Sequence, residues 1–421
     1  MCVSTAIREK PSNLQVFPLT FLFFATAIVM FMIGMIAAIN WVPNLSSAGQ
    51  VRGPEGWMLA HLFLLGWVSM MAMGANFQLI QVILNTKLFS RALGFVHYLF
   101  YTVGLILSLI GFYRGDSDLI AIGGSLIAIG VLLFVFNMAM TMVRKRKWNV
   151  FVFGVSASML NFVMVVSLGV MQGISIGTGW GSSHYDRMFM SHLWLGMAGW
   201  MSGLIVTYSF KLLPMFYVSR KKPAKDAYWI IGLLQGGVWL KVGGIWFEVE
   251  LVEKMALVSV MIAMALMTLF VIRVQGKGKP PGGAVPVAAN LIPAVAVLLW
   301  IWGGQDLFSL SVPLSLTPAF GFFLICGWFT TTTLSYLSKI VPFLWWAYRF
   351  HTKWQKKNVV LLSEMTPDRR MIGELVLFLG GVIVVCVSFL IQRPELAMFG
   401  QIVSLCALVA YIAELVRIFR Y

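Results

Sequence analysis

The chain has 421 residues, 60% of them hydrophobic and only 11% charged, a balance that excludes a soluble globular domain and marks an integral membrane protein. Its net charge of +16 would point to nucleic acid in a soluble protein. Here the cations gather at the ends of apolar runs, which excludes that partner and leaves membrane lipid.

Apolar runs of about 20 residues, enough to cross a bilayer, fall at 17–41, 57–84, 93–113, 119–143, 150–173, 188–216, 227–247, 252–274, 287–311, 316–346, 371–391 and 396–418. They predict an all-α membrane protein of twelve transmembrane helices within one integral membrane domain, 1–421. The first run follows a charged N-terminal stretch without a small-residue cleavage pattern, so it reads as a spanning helix and not as a signal peptide. Only 174–187 and 347–370 are connections clearly longer than a dozen residues, which leaves no room for a soluble domain. Of the 31 lysines and arginines, 23 fall at one set of helix ends, five at the other (Arg52, Arg114, Arg187, Lys254, Arg393), and Lys211, Lys241 and Lys339 lie within spans. By the positive-inside bias, both termini are cytoplasmic. Cys2, Cys326, Cys386 and Cys406 have no metal-type spacing, and three of them lie in apolar runs, so they imply neither disulfides nor a zinc site.

A motif recurs on predicted helices 2, 6 and 10. His61–Val82 reads HLFLLGWVSMMAMGANFQLIQV, His192–Phe216 reads HLWLGMAGWMSGLIVTYSFKLLPMF, and Gly327–Leu344 reads GWFTTTTLSYLSKIVPFL. In each copy a Gln or Lys follows the glycine of Gly-Trp by twelve residues: Gly66 to Gln78, Gly199 to Lys211, Gly327 to Lys339. The copies start 133 and 128 residues apart, the length of four membrane helices with their loops. The expected architecture is three four-helix repeats, approximately 17–143, 150–274 and 287–418, around a pseudo-threefold axis.

His61 and His192 each lie a few residues inside the outer end of their helix, and an ionisable side chain within a membrane span is a candidate for function. A neutral histidine bonding between helices is the plain alternative for either one. Two of them at matching depth, each opening a copy of the motif, favour ligation, and imidazole is a common axial ligand of haem iron. His61 precedes its glycine by five residues and His192 by seven. Two residues shift a helical position by about 3 Å and turn it by roughly 200°, so the two are not equivalent positions of the repeat. His97, near the cytoplasmic start of helix 3, reads as structural, and His184 and His351 as solvated surface residues. Lys211 and Lys339 read as snorkelling to the headgroups. Lys241 is too deep for that and calls for an acid, a carbonyl cage or a propionate. Glu374 and Glu414 read as interfacial.

Twelve helices with a histidine on the outer part of helix 2, in the setting HLFLLGW, resemble subunit I of the haem-copper oxidase superfamily, in particular its cbb-type oxidase and nitric-oxide reductase branch and the NnrS-like haem proteins. The resemblance implies that His61 matches the low-spin haem ligand, that His192 matches an active-site metal ligand on helix 6, and that Arg393 stands where an arginine holds haem propionates. Helix 10 carries no histidine where the family has ligands for both haems. Helix 7 offers Lys241 where the family has a histidine pair. The family pattern needs at least six histidines and this chain has five, which argues against copper and against full oxidase activity. The expectation is a haem b protein without the binuclear centre, with His61 and His192 as metal ligands and Arg393 and Lys241 beside the cofactor. Its expected role is electron transfer or a response to nitric oxide or oxygen, with a redox partner or a second copy of the chain as partner. The other class of reading is a haem-free assembly or transport protein that kept the scaffold.

Overall fold

The computed structural model describes residues 15–48, 51–145, 148–219, 226–279, 281–308, 316–350 and 360–421. Among the described residues twelve helices are long and apolar enough to cross a membrane: α1 (Phe17–Ala48), α2 (Pro54–Leu84), α3 (Arg91–Arg114), α4 (Ser117–Val143), α5 (Val150–Thr178), α6 (Ser182–Phe216), α7 (Asp226–Phe247), α8 (Glu250–Gln275), α9 (Val285–Leu307), α10 (Leu316–Phe350), α11 (Asp368–Ile391) and α12 (Pro394–Arg420). The protein is a multi-pass, all-helical membrane protein, as the apolar runs predict. In a bilayer each backbone polar group needs a partner from the chain itself, and helices supply one locally. The expected long connection at 174–187 is mostly helical: α5 runs to Thr178 and is capped by left-handed Gly179 (φ 73°). A short 3₁₀ turn, Ser182–His184, then opens α6.

Local signals fix several ends. Ser90 accepts from the Leu93 amide, Asp116 from those of Asp118 and Leu119, and Asn149 from those of Phe151 and Val152, each satisfying first-turn donors with no helical partner. Small residues then let neighbouring helices touch. A Cβ on Gly104 of α3 would lie 2.6 Å from the carbonyl oxygen of Gly123 on α4, and one on Gly381 of α11 would lie 2.5 Å from that of Gly400 on α12. Backbone contact of this kind is a main source of helix association in lipid.

Helices α2, α6 and α10 depart from ideal geometry at one place each. Leu62–Ser69, Trp194–Ser202 and Phe323–Thr330 are π-helical, and these three segments contain Gly66-Trp67, Gly199-Trp200 and Gly327-Trp328. A π-turn disturbs the regular pairing of backbone carbonyls, and side chains answer several of them. Tyr101 of α3 donates to Leu65 O (3.0 Å), Gln235 of α7 to Gly199 O (3.0 Å), Ser202 to Met197 O (2.7 Å) and Thr330 to Ile325 O (2.9 Å).

The same segments are bonded to one another. Trp200 Nε1 donates to Ser69 Oγ (3.0 Å) and Trp67 Nε1 to Thr330 Oγ1 (3.2 Å). Each acceptor stands two residues after the tryptophan of its own copy. Further along, Tyr208 donates to Asn76 Oδ1 (2.6 Å) and Ser209 pairs with Tyr336 (2.7 Å). Phe31 stacks on Trp67 (4.5 Å, 11°) and Phe162 on Trp200 (4.1 Å, 5°). Trp328 Nε1 is buried and has no partner among the described residues.

Ser69→Ala leaves the Trp200 indole donor buried and unpaired, so it is expected to cost about 1–3 kcal/mol, read as a lower thermal midpoint in detergent. In a double-mutant cycle with Trp200→Phe the two losses are less than additive, because the second change removes the orphaned donor. Strict additivity would show that the bond contributes nothing.

Candidate functional site

His61 and His192 meet. Their ring centres are 6.3 Å apart with planes inclined by 35°, although the motif register makes them inequivalent. His61 lies on the second turn of α2, and its Nδ1 donates to Trp57 O, one turn earlier, at 2.7 Å. His192 Nδ1 donates to Val165 O on α5 at 3.0 Å. A carbonyl oxygen can only accept, so both rings carry their proton on Nδ1 and each Nε2 keeps its lone pair. A hydrogen bond from the distal nitrogen to a backbone carbonyl is a common way to fix the tautomer and orientation of a ligating histidine. Neighbours hold the rings in place: Phe112 packs on His61 with ring centres 4.7 Å apart. A Cβ on Gly169 would come within 3.3 Å of His192 Cε1, so that glycine makes room for the imidazole.

Both histidines line a cavity of about 630 Å³ whose walls come from α1 through α11 and are mostly apolar. The bulged segments form part of the wall, through Ser69, Trp200, Ser202, Cys326 and Trp328. Among the described residues Arg52 is the one lysine, arginine, aspartate or glutamate in this wall. It pairs with Asp186 at 2.5 Å, and its guanidinium carbon sits 4.3 Å from the centre of the Phe189 ring. Arg52 precedes α2 and Asp186 lies in the first turns of α6, so the pair ties together the ends of the two histidine-bearing helices.

The other expected residues are placed apart from the histidines. Lys241 is buried on α7 and pairs at 2.8 Å with Glu253 of α8, whose own side chain is 28% exposed. This is the acid its depth called for. Gly244 gives that glutamate room, since a Cβ there would lie 2.5 Å from Glu253 Cγ. Lys241 Nζ also sits 5.6 Å from the centre of the Trp194 ring. Trp194 lines the cavity, but Lys241 and Arg393 do not. Arg393 is exposed ahead of α12. His97 is fully buried among Phe23, Phe77, Phe134 and Tyr101, with neither ring nitrogen bonded. His184 is exposed, and His351 lies outside the described residues. Glu414 is more buried than an interfacial residue, at 7% side-chain exposure, and pairs with Arg370 and Arg417, both at 2.8 Å.

Arg52 is the residue that sequence reasoning missed. It entered the count of outer cations and nothing else, because a lone arginine before a helix carries no motif. The Trp57 carbonyl and Gly169 are likewise invisible without the fold. Among the described residues no group of three or more His, Cys, Asp or Glu side chains is placed to hold a metal ion. No family model matches the chain, and no curated protein matches it either.

Proposed function

We propose that this is a haem b-binding protein of the bacterial inner membrane, both termini cytoplasmic, that works in electron transfer. The observation that carries the reading is the histidine pair: two imidazoles with their Nδ1 protons tied to carbonyls, 6.3 Å apart, in one apolar cavity. Nitrogen ligands of this kind bind first-row metals at about 2.0–2.1 Å, which puts the centres of two collinear imidazoles on one metal roughly 6 Å apart. A bare metal ion usually takes three or four protein ligands, and no such group is formed by the described residues. A porphyrin brings four nitrogens of its own, so two histidines would suffice to hold it.

His61 and His192 would hold the haem iron, and Arg52 would hold an anionic edge at the cavity wall, the part that the family resemblance assigns to Arg393. When bound, haem b supplies a reversible one-electron iron couple. Because His61 and His192 would both be engaged in holding the haem, the chain's own residues favour electron transfer over oxygen or nitric-oxide chemistry. The residues do not fit a haem-copper centre: α7 carries no histidine, and Lys241 is engaged by Glu253. The three bulged Gly-Trp segments, bonded to one another, support three four-helix units of about 17–143, 150–274 and 287–418.

The optical spectrum of purified protein tests the reading. A Soret band with low-spin features is expected in wild type and is lost in His61→Ala and in His192→Ala. Absence of the band in wild type, or an unchanged band in His61→Ala, overturns the proposal in favour of a haem-free assembly or transport role.

Arg52→Gln is expected to weaken haem retention about tenfold, the loss of one charge-assisted hydrogen bond at a partly exposed position. Arg393→Gln leaves retention unchanged. Haem transfer to apomyoglobin measures both, and the opposite ranking would return the anionic edge to Arg393.

A further inference from the structure

The histidines occupy only one side of the cavity. Its wall continues to Val260 and Met264 of α8, to Leu299 and Trp302 of α9, and to Thr317 and Phe320 of α10, where the Met264 thioether and the Thr317 hydroxyl are the side chains with lone pairs. This side is built of flat rings. Trp302 and Phe320 stack with centres 5.1 Å apart and planes 16° from parallel. Trp194, two residues after His192, stands 6.4 Å from Trp302 and links the aromatic wall to the histidines. Next to Phe320, Gly321 also lines the cavity, and a Cβ built on it meets nothing within 4 Å. The helix there offers bare backbone to open space, which permits close approach of a flat molecule.

One polar group on this apolar surface, the Thr317 hydroxyl, donates to no other described residue. Trp302 Nε1 donates to Thr317 Oγ1 at 3.3 Å, which uses an acceptor lone pair of the hydroxyl and leaves its own proton to donate elsewhere. Thr317 is exposed at the start of α10, so this part of the wall is open to the outside of the protein. A flavin or nucleotide has many polar edges and would leave most of them unpaired against this wall. An acyl chain has no use for parallel rings.

We propose that this lobe binds a lipid-soluble planar ring with a carbonyl acceptor at its edge, a quinone, stacked on Trp302 and Phe320 and accepting from Thr317. The inference builds on the haem reading only in placing the quinone ring next to the histidine pair. Binding itself requires no haem.

The test uses the full chain in lipid nanodiscs with decylubiquinone as probe, bound quinone being extracted and quantified against nanodiscs without protein. Wild type is expected to hold about one quinone per chain. Thr317→Val and Gly321→Leu are expected to bind about tenfold more weakly, the loss of one hydrogen bond or of the stacking space. Gly321→Leu adds a side chain to open space and removes no packing, so its folding is not at risk. His61→Ala is expected to lose the Soret band and keep the quinone, which separates the two proposals. Quinone retention equal to that of empty nanodiscs, or unchanged in both Thr317→Val and Gly321→Leu, would overturn the inference.

Discussion

A backbone carbonyl in hydrocarbon must find a donor, and much of this molecule follows from where three helices break that rule and repair it. A π-turn in α2, α6 and α10 upsets the regular helical pairing, and leaving a peptide oxygen unpaired in an apolar medium costs several kcal/mol. The repair comes from neighbours: Tyr101 reaches from α3 to Leu65 O and Gln235 from α7 to Gly199 O. These bonds fix the outer neighbours of the bulged helices as well as the bulges. They also require that α3 and α7 carry a buried donor at one depth, which explains why Tyr101 and Gln235 stand there.

The bulges and the cavity are one construction. Residues of all three bulged segments stand in the cavity wall, and the histidines lie just before the bulges in α2 and α6. A wider turn at that level changes the direction in which the preceding residues point, so side chains at five and seven residues before the glycine converge on each other. Arg52 and Asp186 tie the same helix ends together at the surface. That exposed ion pair contributes little stability by itself, since solvent screens it. Its role is to fix spacing.

Much of this was legible in the sequence, for physical reasons. Apolar runs report the bilayer directly, so twelve helices could be read from hydropathy, and the triple Gly-Trp register marked the three places where the helices later proved to bulge. The nature of the bulge was not legible, because glycine and tryptophan are ordinary membrane residues and nothing in their order specifies a π-turn. Lys241 could be recognised as needing an acid, yet Glu253 is on another helix and only the α7–α8 packing selects it. The histidine pair was the reverse case. Counting residues from the glycines placed His61 and His192 on inequivalent faces, whereas their meeting depends on how two helix ends are tied, and pairwise tilt is not written in a one-dimensional period. Arg52 had no local pattern at all and gains meaning only as the charge on an apolar wall.

The unbonded indole of Trp328 has a mechanical consequence. At the level of the tryptophans, α6 is fastened to α2 and α2 to α10, but among the described residues no corresponding bond fastens α10 to α6. Deeper along the same helices the Ser209 and Tyr336 hydroxyls do join that pair. The seam between α6 and α10 is therefore a wedge, pinned at one end and unpinned at the other. Trp194 stands on one lip of its unpinned end and Phe320 on the other, with Trp302 between them. Parting that seam breaks ring contacts and no hydrogen bond of the tryptophan layer, so it is the line of least resistance along which the cavity would widen.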